Sequence, residues 1–472
     1  MNQTHPRDGS TIAQLRRAFV YIALAAIFAL ALAAAAKVMQ GQTTTRASAA
    51  DVRFGVSLAD PTGPYRDSVK AILKRDLDFS DRVRVVPIQS LTGAPISDAA
   101  TAADFTKFGK LGTSYVLTSA VENGKLAITL FDVRARKIAH TKEFRISGSP
   151  ADNPTPARVA SLAPEFRATL HEASDDVLEW ISGQRGIAET RIVYVASGRV
   201  RVVDSDGAND HPVTSSGAAL SPSWHPSGRS IVYSDFSDAG TQIAEVDLES
   251  GKSHLLNATP RGLNITPVFS PDGENIVYAS GGEQPADLVI ADASNRGGAR
   301  KLGAGNLTEQ SSPTFSPDGK RVAFIAPSPK TPQIYTMNVD GSDIKQLTPS
   351  VAGVRSYRTS PDWSPDGRAI AFEQQNGDFQ VWTIGLDDRK MRKLTSIGEN
   401  EDPSWAPDAR HIVLTSTRHG SKNLWVLDSR TGRMRQLTFN DGARLAAWSP
   451  LLSTNTVVTA SAGSVSAGGG NQ

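Results

Sequence analysis

The chain has 472 residues, 39% of them hydrophobic, no cysteine, and a formal charge of +2. That length accommodates two or three domains, and the lack of cysteine removes zinc–thiolate centres, thiol nucleophiles and disulfides from consideration. The first 49 residues hold five basic residues and one acid, which leaves −2 on the remainder, so no basic surface of the kind that binds nucleic acid is expected.

Arg16 and Arg17 precede an apolar run from Ala18 to Ala36, and Ala47-Ser48-Ala49 offers small residues at the spacing a signal peptidase accepts. A positive n-region, an apolar h-region and an A-x-A site make residues 1–49 an export signal. The run is long for an h-region and just sufficient to span a bilayer. It is either cut after Ala49 or kept as an anchor. In both cases the rest of the chain is delivered to the periplasm, and once the signal is cleaved no direct membrane insertion is expected.

Residues 50–186 read as a small α/β domain with its own core. VRFGVSL and VRVVPI read as strands, PYRDSVKAILKRDLDF and ATAADFTKFGKL as helices, and SYVLTSAV, KLAITLFDV and KIAHTKEFRIS as a three-strand meander. From Pro156 to Ile181 the chain is helical, with Leu162, Phe166, Leu170, Val177 and Ile181 at helical spacing.

From residue 187 to 452 one phrase recurs: PSWHPSGR, PVFSPDGE, PTFSPDGK, PDWSPDGR, PSWAPDAR and AAWSP. Its aromatics are Trp224, Phe269, Phe315, Trp363, Trp405 and Trp448, so the steps are 45, 46, 48, 42 and 43 residues. In SPDG the Pro presets φ for the second position of a type I turn, Asp suits the third, and Gly takes the left-handed position that closes the hairpin. A second strand follows each time, as in IVYAS at Ile276. A third alternates, as in DLVIADA, and a fourth ends the unit, as in MRKLT. Four strands at a period in the forties define a β-propeller. RIVYV at Arg191 is a second strand with no first strand before it, and AAWSP at Ala446 is a first strand with nothing after it. The two ends therefore share one blade and close a ring of six. Ser227 replaces the turn Asp and Ala409 the turn Gly. A left-handed Ala costs about 1 kcal/mol, so the blade at Trp405 is expected to turn differently. Residues 453–472 end Gly/Ser/Ala-rich and read as disordered. The fold class is mainly β, a six-bladed β-propeller preceded by a small α/β domain.

Three further phrases carry a family resemblance. ASDDVLEWISGQRGIAETRIVYV joins the last helix to the propeller, KLGTSYVLTSAV enters the meander, and DGARLAAWSPLL closes the ring. In these, and in domain order over residues 51–452, the chain resembles the TolB family of periplasmic propeller proteins of the Tol-Pal envelope system. The resemblance implies a main partner, the peptidoglycan-associated lipoprotein Pal, and a second contact with the inner-membrane protein TolA. It implies a role in envelope integrity and cell division.

Catalysis finds little support in the residues. There is no G-x-S-x-G elbow, and the residue four after His171 is Asp175, so no H-E-x-x-H zinc motif forms. Asp204 to Gly207 lacks the later ligands of a calcium loop. No cofactor or metal is expected. A binding site follows from topology. The segments leading into the first strands lie on one rim, opposite the SPDG turns and beside the channel. They carry Asn264 and Thr266; Gln310, Ser311 and Ser312; Arg355, Tyr357 and Arg358; Asn400, Glu401 and Asp402; and Arg444. This ring of polar residues with a Tyr is the expected partner-binding surface. The resemblance implies that it binds Pal. The alternatives are another envelope protein or glycan, and a propeller hydrolase or lyase.

Overall fold

The computed structural model describes residues 53–88, 102–146 and 164–452, apart from short loop segments at 216–217, 238–239, 257–261, 283, 295–296, 304, 306, 329–330 and 350–355. The export signal and the Gly/Ser/Ala-rich tail expected from the sequence lie outside the described residues, as does the stretch 156–163. No helix among the described residues is long and apolar enough to cross a membrane.

The first part is a five-stranded sheet of order β2-β1-β3-β4-β5. Its strands are β1 (Phe54–Leu58), β2 (Val83–Val85), β3 (Tyr115–Glu122), β4 (Lys125–Asp132) and β5 (Lys137–Arg145). β1 runs parallel to β2 and β3, and β3 to β5 form the antiparallel meander. Helices α1 (Arg66–Phe79) and α3 (Pro164–Ser182) share a core with the sheet. Val69, Ile72, Leu73 and Leu77 of α1 fall at the spacing of one helical face, as do Phe166, Leu170, Ala173 and Val177 of α3, and all are buried. Helix α2 (Ala102–Lys110) joins a smaller cluster with Phe105, Phe108, Val116 and Val133. After α3 the Asp175 carboxylate accepts the N–H groups of Ala188 and Glu189 at 2.8 and 3.0 Å. A Cβ at Gly186 would come within 2.1 Å of the same carboxylate, so the junction requires glycine.

Six four-stranded sheets follow. Blade 1 takes its inner strand, Arg444–Trp448, from the C-terminal end and pairs it antiparallel with Arg191–Ala196. Ser449 seals the joint: its N–H donates to the Arg191 carbonyl at 2.8 Å and its hydroxyl accepts the Arg191 N–H at 2.9 Å, across 258 residues of chain. The inner strands of blades 2 to 6 are Ala218–Trp224, Leu263–Phe269, Ser311–Phe315, Tyr357–Trp363 and Asn400–Trp405. Neighbouring blades bury their faces against each other. Val232 and Ile243 of blade 2, for example, pack on Phe269, Ile276 and Tyr278 of blade 3. Second strands such as Ile276–Ala279 are buried on both sides, which is why they read as unbroken apolar runs.

The SPDG turns form as expected. In blade 4 Gly319 sits at φ 69° and donates its N–H to the Ser316 carbonyl at 2.9 Å, while Asp318 accepts the Ser316 hydroxyl at 2.6 Å. The expected change of turn in the blade at Trp405 does not occur. Ala409 takes φ 51° and donates to the Ala406 carbonyl at 3.1 Å, in the same turn as its glycine counterparts. Asp408 dictates this geometry by accepting the N–H groups of Arg410 and His411.

The α/β part rests on the turn face of the propeller, against blades 6 and 1. Asp78 and Asp81, at and beyond the end of α1, receive Arg433 at 2.8 and 2.9 Å, and Arg435 reaches Asp81 at 2.8 Å. Arg82 pairs with Asp408 of the blade 6 turn at 3.3 Å. The Phe79 ring stacks on His411 at 5.9 Å, with the Arg435 guanidinium 4.8 Å from its centre. The opposite face, where the inner strands begin, is called the loop face below.

Candidate protein-binding face

Each inner strand carries a β-bulge at the same place. Ser221, Thr266, Ser312, Ser360, Asp402 and Leu445 all have φ between 49° and 55°, and the pairing register shifts there in every blade. Pro222, Pro267, Pro313, Pro361 and Pro403 follow five of them, with Ala446 after the sixth. A non-glycine left-handed residue costs about 1–2 kcal/mol, so six of them need compensation. The bulge turns these residues inward, where they and the residues two further on line a channel of about 190 Å³. It also frees backbone N–H groups, which side chains of the preceding blade accept. Thr266 Oγ1 takes the Ser312 N–H at 3.2 Å, Asp402 Oδ2 that of Leu445 at 3.2 Å, and Asp362 Oδ2 that of Trp405 at 2.6 Å.

Carboxylates gather on this wall in blades 5 and 6. Burial pushes Asp362 up to about 6, despite its bond from the Trp405 N–H. Burial and the neighbouring Glu373 and Glu401 push Asp402 up to about 7, and burial raises Glu373 as well. All three are engaged in holding the ring: Glu373 accepts the Thr359 and Ser360 hydroxyls and the Asp402 N–H. Among the described residues one group, Asp81, His411 and Asp428, brings three potential metal-ligating atoms together. Arg433 and Arg435 already pair with Asp81, and Arg410 with Asp428. That surplus of positive charge opposes a divalent cation, so the group is an ion-pair cluster and not a metal centre.

The polar residues expected to meet a partner divide by position. Thr266, Ser312 and Asp402 are bulge residues of the channel wall. Ser311 and Glu401 are half-buried beside them, Glu401 paired with Lys422 at 2.5 Å, while Arg444 and Tyr357 are exposed. Asn264, Gln310, Arg358 and Asn400 are buried, and their expected placement on open loops is corrected. They stand two residues before the bulge, where strand alternation points the side chain into the blade. Asn264 donates to the Thr241 carbonyl at 3.0 Å, and Gln310 to that of Leu307 at 3.0 Å. Asn400 binds the Ile397 and Gly398 carbonyls, and Arg358 binds Gln374 at 2.8 Å, Gln333 at 2.6 Å and the Pro349 carbonyl at 2.5 Å. These four are pegs that fasten the loops. Arg355 lies outside the described residues.

A second set of residues stands out on the loop face. Leu263 and Tyr357 are each 41% exposed, Ile397 61% and Phe439 77%. They make up half of the eight large apolar side chains exposed among the described residues, and all four lie on segments that feed inner strands. Ile397 in LTSIGEN and Phe439 in LTFNDG could have been found from sequence as apolar residues inside otherwise polar loops.

Residues 178–452, more than half of the chain, match the family described as the TolB beta propeller domain. The "Tol-Pal system protein TolB" of Bordetella pertussis strain Tohama I is 27% identical over 329 residues, spanning 68% of this chain and 72% of that protein. Its namesake from Bordetella bronchiseptica strain RB50 is 27% identical, over 68% and 71%. In fold, the crystal structure of TolB from Acinetobacter baumannii superposes with a TM-score of 0.70 at 22% identity, covering 86% of this chain and 98% of that one. With its six blades, five of them built on an SPDG-type turn, its shared first blade and the match over residues 178–452, the chain belongs to the TolB propeller family.

Proposed function

We propose that the chain is a non-catalytic periplasmic component of the Tol-Pal system, whose loop face binds the lipoprotein Pal and so couples the outer membrane and peptidoglycan to the inner-membrane Tol machinery, with TolA as a second partner. The observation that carries this reading is the asymmetry of the ring. Among the described residues the turn face is covered by the α/β part, whereas the loop face has no such cover and bears Leu263, Tyr357, Ile397 and Phe439 around a polar channel mouth. Exposed aromatic and aliphatic anchors amid polar residues are where interfaces concentrate their affinity. The relatives named Tol-Pal system proteins support the system. The channel carboxylates support binding over catalysis, since they serve as acceptors between blades.

Calorimetric titration with Pal from the same organism tests the reading. Tyr357→Ala with Phe439→Ala is expected to weaken binding by about 1–3 kcal/mol for each anchor, and exposed side chains leave the melting unchanged. Asp318→Lys with Asp366→Lys, on the turn face, changes net charge more and is expected to leave binding intact. Binding lost by the turn-face variant and kept by the loop-face variant would reverse the assignment of faces. No binding by the unmodified protein would point to another envelope protein or a glycan as the ligand.

A further inference from the structure

Two histidines sit between carboxylates where the α/β part meets the propeller, and their arrangement is reciprocal. His171 of α3 places Nδ1 2.8 Å from Asp76 of α1 and Nε2 3.7 Å from Asp206 on a turn of blade 1. His411 of blade 6 places Nδ1 2.8 Å from Asp408 of its own turn and Nε2 3.4 Å from Asp81 beyond α1. Each ring thus bridges an acid of its own domain to an acid of the other, and both rings are buried, at 3% and 0% exposure. A neutral imidazole has one N–H and meets its second carboxylate with a lone pair, whereas an imidazolium donates to both. At His411 both nitrogens lie within hydrogen-bonding reach of a carboxylate, which only the charged ring can serve. At His171 Nδ1 bonds Asp76, while Nε2, beyond hydrogen-bonding distance of Asp206 at 3.7 Å, meets it as a charge contact that favours the charged ring.

The surroundings complete each cluster. Around His171, Arg167 and Arg75 reach Asp206, and the Ser174 hydroxyl donates to Asp76 at 2.8 Å. Asp175, Glu172, Asp204 and Glu189 contribute more distant charge. Around His411, Arg53, Arg433 and Arg435 reach Asp81, Arg82 reaches Asp408, and Arg410 holds Asp428.

We propose that these two histidines form a proton-operated lock that fixes the α/β part on the turn face of the propeller, closed while both rings are charged and released when they lose their protons. Burial by itself lowers the affinity of both rings for a proton. At His171 Asp76 and Asp206 outweigh it and push the ring up to about 9, and at His411 Asp408 and Asp81 raise the ring above the usual histidine range. Folded values above the free value mean that both contributions are fully present below about pH 6.5; that of His171 is lost as the pH rises through about 9, and that of His411 is likewise lost on the alkaline side. On the acid side Asp206 is held at about 2, against its burial, by His171, Arg167 and Arg75, so mild acid leaves the lock closed.

The test uses the full chain, whose lack of cysteine allows a dye pair at Lys110→Cys and Glu274→Cys, one exposed position on each part. Single-molecule energy transfer is expected to give one narrow distance distribution from pH 5 to pH 7.5. A second, longer population should grow reversibly above pH 8.5 while circular dichroism still reports a folded propeller. His171→Gln with His411→Gln is expected to show the longer population already at pH 7. A distribution that stays narrow to pH 10 in the folded chain would overturn the proposal, as would an identical pH midpoint in the double variant. If that variant does not fold, the pH series on the chain with both histidines decides alone.

Discussion

Ending the chain at residue 443 removes the inner strand Arg444–Trp448 from blade 1 and leaves the Arg191–Ala196 edge unpaired. The loss can be sized from Trp448, which is 6% exposed. A buried tryptophan removes roughly 200 Å² from water, worth about 5 kcal/mol at 25 cal/mol/Å². Ile192, Val193, Tyr194 and Val195, each at most 1% exposed, would lose cover as well. Together this approaches the ~5–15 kcal/mol that holds a whole domain, so the chain ending at 443 is expected to lose its cooperative calorimetric transition or to aggregate on size exclusion. A chain ending at 452 keeps Leu452, which packs over Gly228, and is expected to melt like the full chain. Point variants grade the effect. Trp448→Ala is expected to cost about 3–5 kcal/mol. Trp448→Phe, which mainly forfeits the 2.8 Å bond from Nε1–H to Thr190 Oγ1, is expected to cost about 1 kcal/mol. Equal melting of the chains ending at 443 and 452 would refute ring closure by the shared blade.

Ala409→Gly is expected to be neutral or stabilising by up to about 1 kcal/mol in urea unfolding, because relief of the left-handed strain is partly offset by a freer unfolded chain. Gly319→Ala is expected to destabilise by about 1 kcal/mol through backbone strain alone, since its Cβ would meet nothing closer than Pro271 at 3.6 Å. Gly273→Ala is expected to cost more, because there the Cβ would also come within 2.5 Å of His225. Stability measured against pH is expected to fall by up to ~3 kcal/mol between about pH 6.5 and pH 9, the linkage of a histidine raised to about 9. A His171→Gln chain that showed the same slope would remove that assignment.

The ring was legible because its signal is local and repeated. SPDG fixes a turn by side-chain and backbone chemistry within four residues, and five such turns at similar spacing, three of them SPDG itself, leave few other architectures. Ala409 was misjudged because turn propensity was weighed without Asp408, whose carboxylate imposes the left-handed turn. The binding face was legible as a rim but not residue by residue. Asn264, Gln310, Arg358 and Asn400 look like surface residues in a linear reading, yet the bulge sets the strand's phase and sends them inward. Nothing in their composition marks that phase. The bulge itself was missed, although the X-Pro step in five of the six inner strands was its trace. The histidine clusters were missed for another reason: Asp76 and His171 are 95 residues apart, and Asp81 and His411 are 330 apart.

The joint at Ser449 also sets the order of folding. Most contacts in the propeller join residues within a blade or one blade apart, so a chain made from its N-terminus can stack blades 2 to 6 in sequence. Blade 1 cannot follow that order, since its pairing spans 258 residues. Closing a loop of that length instead of one of about 45 residues adds only about 1.5 kcal/mol of entropy, so the cost is mainly one of waiting. Until the last turn of the chain is available, the Arg191–Ala196 edge stays open to pairing with other chains. Ring closure is therefore expected as the slow phase of refolding, and a chain stalled before residue 449 is the species a chaperone or protease would meet.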